Sequence, residues 1–505
     1  MACMDDVPLC ILQCIMMFLL PDVGDVVRAS AVSRRLREAW MGMEAYELDA
    51  STIPDHHLLD LDSTFAAIVD RVVFNHSGPG IKSMSLAHTR YDTDGDRRVT
   101  AWLDRLASRE HHRLERLDVN IGAALHTPAS LFRCETLVEL RLVVHAAARG
   151  LRLDVDGAVH LPQLRRLCLE HAGFRSSTQF QNLIDGCPLL ELLHLRFTAV
   201  ARREDTVGIE IRSPSVRRVV LEGCGGYGMV PFEVSAPNVE ELVLSGRNMV
   251  AVEKGGVRRL SARKVSLLMD DKLWWYNVFA PFHHFMAFLN VGTNMSRIMA
   301  GFHGVLELAI SGWCIEGIYI YIYIYIYIYT HTHTHTHTHT HTLICIYSAL
   351  YTYNKNIIGI AMQMQYLSKI VDSMNLPDWG IEVLRVEGMW PNQGQAGVVL
   401  HLLRSSPCLR NLFITNELEH PREISIDENR EQYPATPEFL FDAVPGRLTH
   451  LRRFFMFNFT GNRNEISIIK FVLGSSSISI NPDQFGVTDY LGNDWSSTQL
   501  ILASL

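Results

Sequence analysis

Six histidines alternate with threonines between residues 330 and 342, and they form the densest group of metal-binding side chains in this sequence. If the segment is extended, all six imidazoles lie on one face. A metal site, however, needs ligands that close a coordination shell and outer partners that orient them. The alternation supplies neither, so we expect no metal site here.

A second motif, Gly223-Cys-Gly225-Gly-Tyr-Gly228, has the G-x-G-x-x-G spacing of dinucleotide-binding loops and follows an apolar strand pattern. The phosphate site of such a loop requires a helix to begin at the glycines. Here Met229-Val-Pro-Phe-Glu follows, and another strand pattern comes next. We therefore predict a turn between two strands and no cofactor.

A third motif, Asp92-Thr-Asp94-Gly95-Asp96, has the acidic residues of a calcium loop. Its glycine comes too early, and Leu103 stands where such a loop needs a bidentate glutamate. We predict a solvated turn. The sequence also lacks a nucleophile-elbow motif and any convincing set of His, Cys and Asp for catalysis. We therefore expect that the chain is not an enzyme.

Composition sets wider limits on the class of protein. The 505 residues are 48% hydrophobic and 20% charged, which allows a large core. The net charge of −8 argues against a general nucleic-acid binder, which usually carries a basic field. Ten scattered cysteines without a C-x-x-C pair favour a reducing compartment, so we expect a cytoplasmic or nuclear location.

One apolar pattern recurs along most of the chain. The spacing apolar-x-x-apolar-x-apolar begins at residues 114, 137, 164, 190, 216 and 239, and again at 305, 381, 409 and 451. The five intervals between the first six starts, of 23 to 27 residues, are typical of leucine-rich repeats. Each repeat supplies a short strand, and neighbouring repeats stack to bury their apolar faces. The pattern predicts an α/β solenoid with a curved parallel sheet. Residues 245–304 are degenerate.

The first forty residues have a different pattern. Leu12, Ile15, Met16 and Leu19 are spaced as one face of a helix, and two further short helices follow. Three such helices bury too little surface to be stable alone, so we expect them to dock on a partner. The apolar stretch 7–20 follows an acidic start, has no cleavage site and is too short to span a bilayer. We expect neither secretion nor a membrane partner.

Residues 5–45 resemble an F-box domain. Val7-Pro8, Ile15, Leu19-Leu20-Pro21, Val32-Ser33-Arg34-Arg35 and Trp40 match its motif, whereas Leu36 replaces a frequent Trp and the turn after Pro21 is one residue longer. The resemblance implies binding to a Skp-type adaptor, and through it to cullin and RING subunits. It also implies which residues form or support that contact: Pro8, Leu12, Ile15, Leu19, Pro21, Val32 and Trp40. The alternative is an ordinary amphipathic helix pair.

Residues 448–473 resemble the FBD region of plant F-box proteins. The resemblance lies in a strand, a glycine turn and a helix that begins near Glu465. In that family the region continues with a final strand. Here residues 481–505 lack the pattern, and an altered reading frame is one explanation of this atypical tail.

Residues 318–342 alternate first Ile and Tyr, then Thr and His. An AT repeat that runs into an AC repeat in DNA encodes both blocks in one frame, and AT-rich non-coding DNA accounts for the residues that follow. The repeat starts at 305 and 381 lie 76 residues apart. Removal of residues 318–365 leaves an interval of 28, which equals the next interval, from 381 to 409. We predict that 318–365 is a translated intron within the repeat array.

The predicted organisation has five parts: an F-box at 5–45, leucine-rich repeats at 100–317, the low-complexity insert at 318–365, further repeats and an FBD-like region at 366–480, and the tail at 481–505. The resemblance implies a non-catalytic substrate-recognition subunit of an SCF-type ubiquitin ligase, whose repeats bind an unknown target protein. The alternatives are a repeat protein that binds partners without a ligase and a nonfunctional gene product.

Overall fold

The computed structural model divides into two compact units, Met1–Val239 (unit 1) and Glu240–Leu505 (unit 2). The residues that it describes are 7–19, 22–53, 61–89, 95–108, 113–122, 125–145, 151–153, 155, 159–200, 209–224, 232–245, 262–268, 304–312, 314–315, 379–389, 393–417, 444–477 and 484–488. The histidine-rich insert lies outside these residues. So do the aromatic clusters 274–276 and 282–285, for which the sequence favours burial over a binding surface, and residues 418–431 of an acidic stretch predicted to be an exposed loop.

Three helices open unit 1. They are α1 (Leu9–Leu19), α2 (Val23–Val32) and α3 (Arg34–Met41). The Asp22 carboxylate caps α2 by accepting the N–H of Asp25 at 3.0 Å. Ser33 has extended backbone, ends α2 and caps α3. The predicted three short helices are confirmed.

The helical module is fixed to the strand that follows it. Trp40 at the end of α3 is buried, and its carbonyl accepts the Tyr46 hydroxyl. The Gln13 side chain of α1 donates to the Gly42 carbonyl at 3.1 Å. In the same way, the N–H of Val23 donates to the Thr52 hydroxyl at 2.9 Å. These contacts bury the inner surface of the module within unit 1.

The remaining elements of unit 1 alternate strands with helices and short return strands. They are β1 (Ala45–Asp49), α4 (Leu61–Phe74), β2 (Ser83–His88), α5 (Gly95–Ala107), β3 (Arg116–Ile121), β4 (Leu125–Thr127), β5 (Glu139–Val144), β6 (Leu151–Leu153), β7 (Arg166–Glu170), β8 (Ala172–Phe174), α6 (Ser177–Asp185), β9 (Leu192–Arg196), β10 (Ala199–Val200), β11 (Ile209–Arg212), β12 (Arg218–Glu222) and β13 (Phe232–Ser235).

The main sheet of unit 1 is parallel, with the order β1-β2-β3-β5-β7-β9-β12. Its register stacks equivalent residues, so that Leu117, Leu140, Leu167, Leu193 and Val219 are successive partners. All five are buried, as are the apolar residues two positions later in each strand. The period of two sends these side chains to one face, where the return segments cover them. The short strands β4, β6, β8 and β10 form a second parallel sheet.

Unit 2 repeats this plan. Its elements are β14 (Glu241–Ser245), β15 (Lys264–Leu268), β16 (Glu307–Ser311), β17 (Val383–Met389), α7 (Gln393–Arg404), β18 (Asn411–Asn416), β19 (Arg453–Phe457), α8 (Arg463–Ser475) and β20 (Phe485–Val487). The strands pair in parallel in chain order. The predicted strand and helix of the FBD-like region are therefore present as β19 and α8.

The repeat array is continuous across the insert. Strands β16 and β17 are direct parallel neighbours, with Leu308 opposite Leu384 and Ile310 opposite Val386. These are the residues that the repeat pattern aligned from the starts at 305 and 381.

The sheet contains strands that the repeat search did not find. Strands β1 and β2 precede residue 100, β15 lies in the degenerate region, and β20 lies in the tail that lacks the pattern. Their buried positions hold Tyr46, Met84 and Phe485 in place of Leu. Met43/Tyr46/Leu48 and Ile81/Met84/Leu86 nevertheless follow the same apolar spacing, so β1 and β2 could have been found from the sequence. The predicted solvated turn at 92–96 is wrong in its last part, because Gly95 begins α5.

Candidate protein-binding surfaces

Helix α1 is apolar on its outer side as well as on its inner side. Leu12 and Met16 pack inward and are at most 1% exposed. Ile11, Ile15 and Phe18, at helical spacings of four and three, point outward, and Phe18 is 87% exposed. Exposed apolar surface of this kind marks a protein-interaction site.

The residues that the sequence assigned to an adaptor contact separate into two groups. Pro8, Ile15 and Val32 are exposed, and Val32 at the end of α2 is 85% exposed. Leu12 and Trp40 are buried in the module, so their role would be to support the surface. Leu19 is half-buried. Pro21 lies outside the described residues.

Sequence reasoning missed several outward-facing residues of α1. Leu9, Ile11, Met17 and Phe18 are all exposed apolar side chains. Because almost every position of α1 is apolar, the helical spacing grouped the outward-facing Ile15 with the buried Leu12 and Met16 and left the rest of the outer face unmarked. The run of apolar residues without a polar face was the available signal.

The open face of the unit 1 sheet is built of charged residues in register. The Arg141 guanidinium donates to both oxygens of Asp118, at 3.0 and 3.1 Å. Arg196 lies 3.0 Å from a carboxylate oxygen of Glu170 and 3.3 Å from one of Glu222. Each pair joins neighbouring strands, so the repeats place opposite charges side by side across this face.

Cys168 lies on the same face between Arg141 and His194, its register partners on the adjacent strands. Its Sγ lies 3.6 Å from Nδ1 of His194. Burial raises the pKa of the Cys168 thiol, and nearby Arg141 only partly opposes this. The group therefore remains a neutral thiol at pH 7, which gives it little nucleophilic character.

The open face of unit 2 has charged pairs on β14 to β17 and aromatic rings on β18 and β19. Phe413 and Phe455 stack with ring centroids 6.0 Å apart, and Phe455 stacks in turn on Phe457 at 6.4 Å. The Arg385 guanidinium carbon lies 4.6 Å from the centroid of Phe413. We call Phe413, Phe455, Phe457 and the neighbouring Arg453 the aromatic face.

A buried carboxylate organises the edge of the aromatic face. Glu465 of α8 accepts the backbone N–H groups of Thr460 and Asn462 and the side-chain amide of Asn416. Burial raises the pKa of Glu465, although these donors oppose the shift. Asn416 ends β18, and the Asn458 amide that follows β19 donates to its carbonyl at 2.8 Å. The network fixes the carboxyl ends of these two strands beside Phe457.

The other motifs of the sequence supply no reactive site within the described residues. Gly223 follows β12 with φ of 60°, as expected for a turn, and residues 225–231 lie outside the described part. Burial raises the pKa values of Cys187 and Cys224 to about 12. The described residues contain no group of three or more His, Cys, Asp or Glu placed to hold a metal. They also contain no helix with the length and apolarity needed to cross a membrane.

Comparison with known proteins agrees with this architecture. Residues 99–269 match a family model described as FBD-associated F-box protein At5g56370, LRR repeats. The chain is 28% identical over 226 residues to F-box/FBD/LRR-repeat protein At4g00160 of Arabidopsis thaliana, which covers 43% of this chain and 46% of the relative.

Two further Arabidopsis thaliana relatives have the same character. F-box/LRR-repeat protein 13 is 26% identical over 253 residues, 48% of this chain and 52% of its own length. FBD-associated F-box protein At1g66310 is 28% identical over 242 residues, 46% of this chain and 50% of its own. The chain thus spans about half the length of these curated relatives. The family match over the repeats and the parallel sheet in each unit make this chain similar to plant F-box/leucine-rich-repeat proteins of the FBD-associated type.

Proposed function

We propose that this chain is the substrate-recognition subunit of an SCF-type E3 ubiquitin ligase. Its helical module would bind a Skp-type adaptor, which connects it to cullin and RING subunits, and its repeats would bind a target protein. The exposed apolar outer face of α1 carries this proposal. Ile11, Ile15 and Phe18 lie in water in the isolated chain, and a docked adaptor would remove them from it.

Burial of apolar surface favours such docking. A large apolar side chain contributes about 1.5–3 kcal/mol when it passes from full exposure to full burial. Phe18 and Val32 are almost fully exposed and therefore offer most of this gain. Ile15 is 44% exposed and contributes a smaller part. A few large apolar side chains typically dominate the affinity of a protein interface.

The proposed role involves no chemistry by the chain itself. A receptor that holds its target beside a charged ubiquitin-conjugating enzyme raises the local concentration of target lysines, which accelerates transfer without a catalytic residue. The F-box/LRR names of the relatives support this role. We propose that it is exercised in the cytoplasm or the nucleus.

Co-purification with a Skp-type adaptor tests the proposal. The substitutions Phe18→Asp on α1 and Val32→Asp on α2 each place a charge at an exposed apolar position of the helical module. Each should abolish adaptor binding by the full chain. Phe74→Asp is the matched control, since Phe74 is an exposed aromatic residue on α4 and belongs to neither α1 nor α2. Circular dichroism verifies that each variant is folded. A folded wild-type chain that does not bind the adaptor would refute the ligase role and leave a repeat protein that acts without a ligase.

We also propose that residues 318–365 are a translated intron and that the functional protein lacks them. The direct pairing of β16 with β17 supports this, since the strands that flank the insert in the sequence are neighbours in the sheet. Sequencing of the mature transcript across codons 310–370 is the test. A dominant message that contains the Ile-Tyr and Thr-His codons would contradict the proposal.

A further inference from the structure

We propose that the aromatic face of unit 2 binds an extended peptide segment of the target, in which one acidic and two apolar side chains occupy alternate positions. This inference rests on the proposed function and names the chemistry of the target. It comes from the arrangement of Arg453, Phe455 and Phe457 along β19, with Phe413 beside them on β18.

The spacing of these residues defines the ligand. Residues 453, 455 and 457 alternate along one strand, so their side chains share the open face. Successive positions on that face are about 6.6–6.8 Å apart, because a strand rises by 3.3–3.4 Å per residue. An extended peptide presents every second side chain at the same interval. A segment laid along β19 can therefore match all three side chains at once.

The rings are ordered before any ligand arrives. Phe455 stacks on Phe413 on one side and on Phe457 on the other. It also covers Gly486 of β20, where an added Cβ would lie 2.7 Å from the Phe455 ring. The ring thus occupies the space of the missing side chain. Ordered aromatic rings lose little conformational entropy on binding, which favours affinity.

Charge selects the acidic position of the ligand. Arg385 is already engaged, with Glu307 at 3.3 Å and the Phe413 ring beneath it. Arg453 is exposed and forms no ion pair with any of the described residues. Glu387 lies near the other end of the strands, as the register partner of Thr415. A ligand carboxylate is therefore favoured beside Arg453 and disfavoured beyond Phe457.

The resulting pattern is acidic-x-apolar-x-apolar when the peptide runs parallel to β19, and the reverse order when it runs antiparallel. A second copy of this chain is a less suitable occupant of the face. The aromatic face of a second copy brings a further Arg453 and no carboxylate, and the open face of its unit 1 presents charges that are already paired.

Fluorescence anisotropy with defined peptides tests the inference on the full chain. The probes are a labelled peptide with the core Glu-Ser-Leu-Ser-Phe, its reversed sequence, a version with Lys for Glu, and a version with Ser for Leu and Phe. We expect one of the first two to bind and the last not to bind. Phe457→Ser should weaken binding about tenfold, as loss of an aromatic anchor does.

Charge exchange supplies the specific test. Arg453→Glu should weaken binding of the acidic peptide about fivefold, because the attraction between Arg453 and the peptide carboxylate becomes a repulsion. The same variant should bind the Lys peptide better than the wild type does, because the repulsion between two cations becomes an attraction. The matched controls are Phe74→Ser and Arg133→Glu, which change an exposed ring and an exposed guanidinium of unit 1. Both controls should bind the peptides as the wild type does.

Three results would overturn the inference. These are equal binding of the acidic and Lys peptides, unchanged binding by Phe457→Ser, and self-association of the chain that Phe457→Ser abolishes in sedimentation experiments. Adaptor binding is measured on the same variants. If the chain binds the adaptor but not the peptides, this inference is wrong and the ligase proposal stands. If the chain binds the peptides but not the adaptor, the ligase proposal is wrong and this inference stands.

Discussion

The open sheet faces of the two units differ although their buried faces follow one rule. In unit 1 the exposed rows hold Arg141 against Asp118 and Arg196 between two glutamates. In unit 2 the corresponding rows near the carboxyl end hold stacked phenylalanines. The same parallel register therefore produces a face whose charges neutralise each other and a face whose apolar surface is open to a ligand.

This difference separates the residues that make the fold from those that make the function. A buried position accepts any apolar side chain of suitable volume. The rows of buried side chains on the covered face of the sheet, here called the inner rows, are therefore alike in both units. An open position is not needed for packing, and its side chain is free to differ between repeats. The residue types at the open positions of such a sheet therefore determine its binding specificity.

The largest expected effect tests the claim that the inner rows are equivalent. Leu193 of unit 1 and Leu412 of unit 2 are fully buried, each between two apolar register partners. Replacement of either leucine by Ala should lower the unfolding free energy of its own unit by about 2–5 kcal/mol. Pulse-labelling hydrogen exchange after equilibration in urea measures each unit separately. A loss below about 1 kcal/mol at one site would show that the two cores differ.

The next effect concerns the residues that follow the strands. His171, Phe197 and Gly223 succeed β7, β9 and β12, and all three have positive φ. Gly223→Ala adds a Cβ 2.7 Å from the Phe197 ring to a left-handed backbone, and we expect a loss of about 2–3 kcal/mol. Gly388 lies near the end of β17, has φ of 62° and has more open surroundings than Gly223. Gly388→Ala should therefore lower the unfolding free energy by about 1–2 kcal/mol.

Gly304→Ala is the control for both substitutions. An added Cβ at Gly304 meets no atom within 4 Å and its φ is not positive, so stability should change by less than about 0.5 kcal/mol. Urea unfolding of the three variants gives the order directly. If Gly388→Ala cost more than Gly223→Ala, the contact with Phe197 would not be the cause of the difference.

The inner rows could be predicted from sequence, but most of the aromatic face could not. Leu117 and Leu412 belong to local patterns that identify a buried strand without knowledge of its neighbours. Phe413 and Phe455 lie in different repeats, and only the length of the intervening return segment brings them into register. The outer face of α1 was missed for another reason, since Ile11 and Phe18 share a helix whose inner stripe is equally apolar. Long-range register and the choice between two apolar stripes require the fold.

A smaller effect compares one arginine on each open face. Arg196→Ala removes the partner of Glu170, whose side chain is almost buried, so we expect a loss of about 1–2 kcal/mol in unit 1. Arg385→Ala removes a more exposed pair with Glu307 and a contact with Phe413, worth about 0.5–1 kcal/mol in unit 2.

Salt distinguishes the contributions of these arginines. The Arg385 pair is partly exposed, so its contribution to stability should decrease at high ionic strength, whereas the pair of Arg196 with Glu170 should be screened less. Urea unfolding of both variants at two salt concentrations provides the measurement. An equal and complete loss of both effects in high salt would mean that Glu170 is as solvated as Glu307.

The smallest effect is a response to pH with opposite signs in the two units. Burial lowers the pKa of His88 in unit 1, although Asp62 opposes the shift, and burial raises the pKa of Glu465 in unit 2. Between pH 7 and 5 the unfolded state binds a proton at His88 more readily than the folded state does, so unit 1 loses stability as the pH falls.

The sign is reversed at Glu465. There the folded state binds the proton more readily, so the stability that this group contributes is greatest at low pH and is lost as the pH rises through its folded pKa. Urea unfolding equilibrated at pH 5 and pH 7, followed by labelling at one fixed pH, should show unit 1 weakened at pH 5. His88→Gln should reduce this change and leave unit 2 unaffected. Glu465→Gln should instead remove a pH dependence from unit 2, since it replaces the titrating carboxyl by a neutral amide. A His88→Gln variant whose unit 1 responds to pH as the wild type does would place the sensitive group elsewhere in that unit.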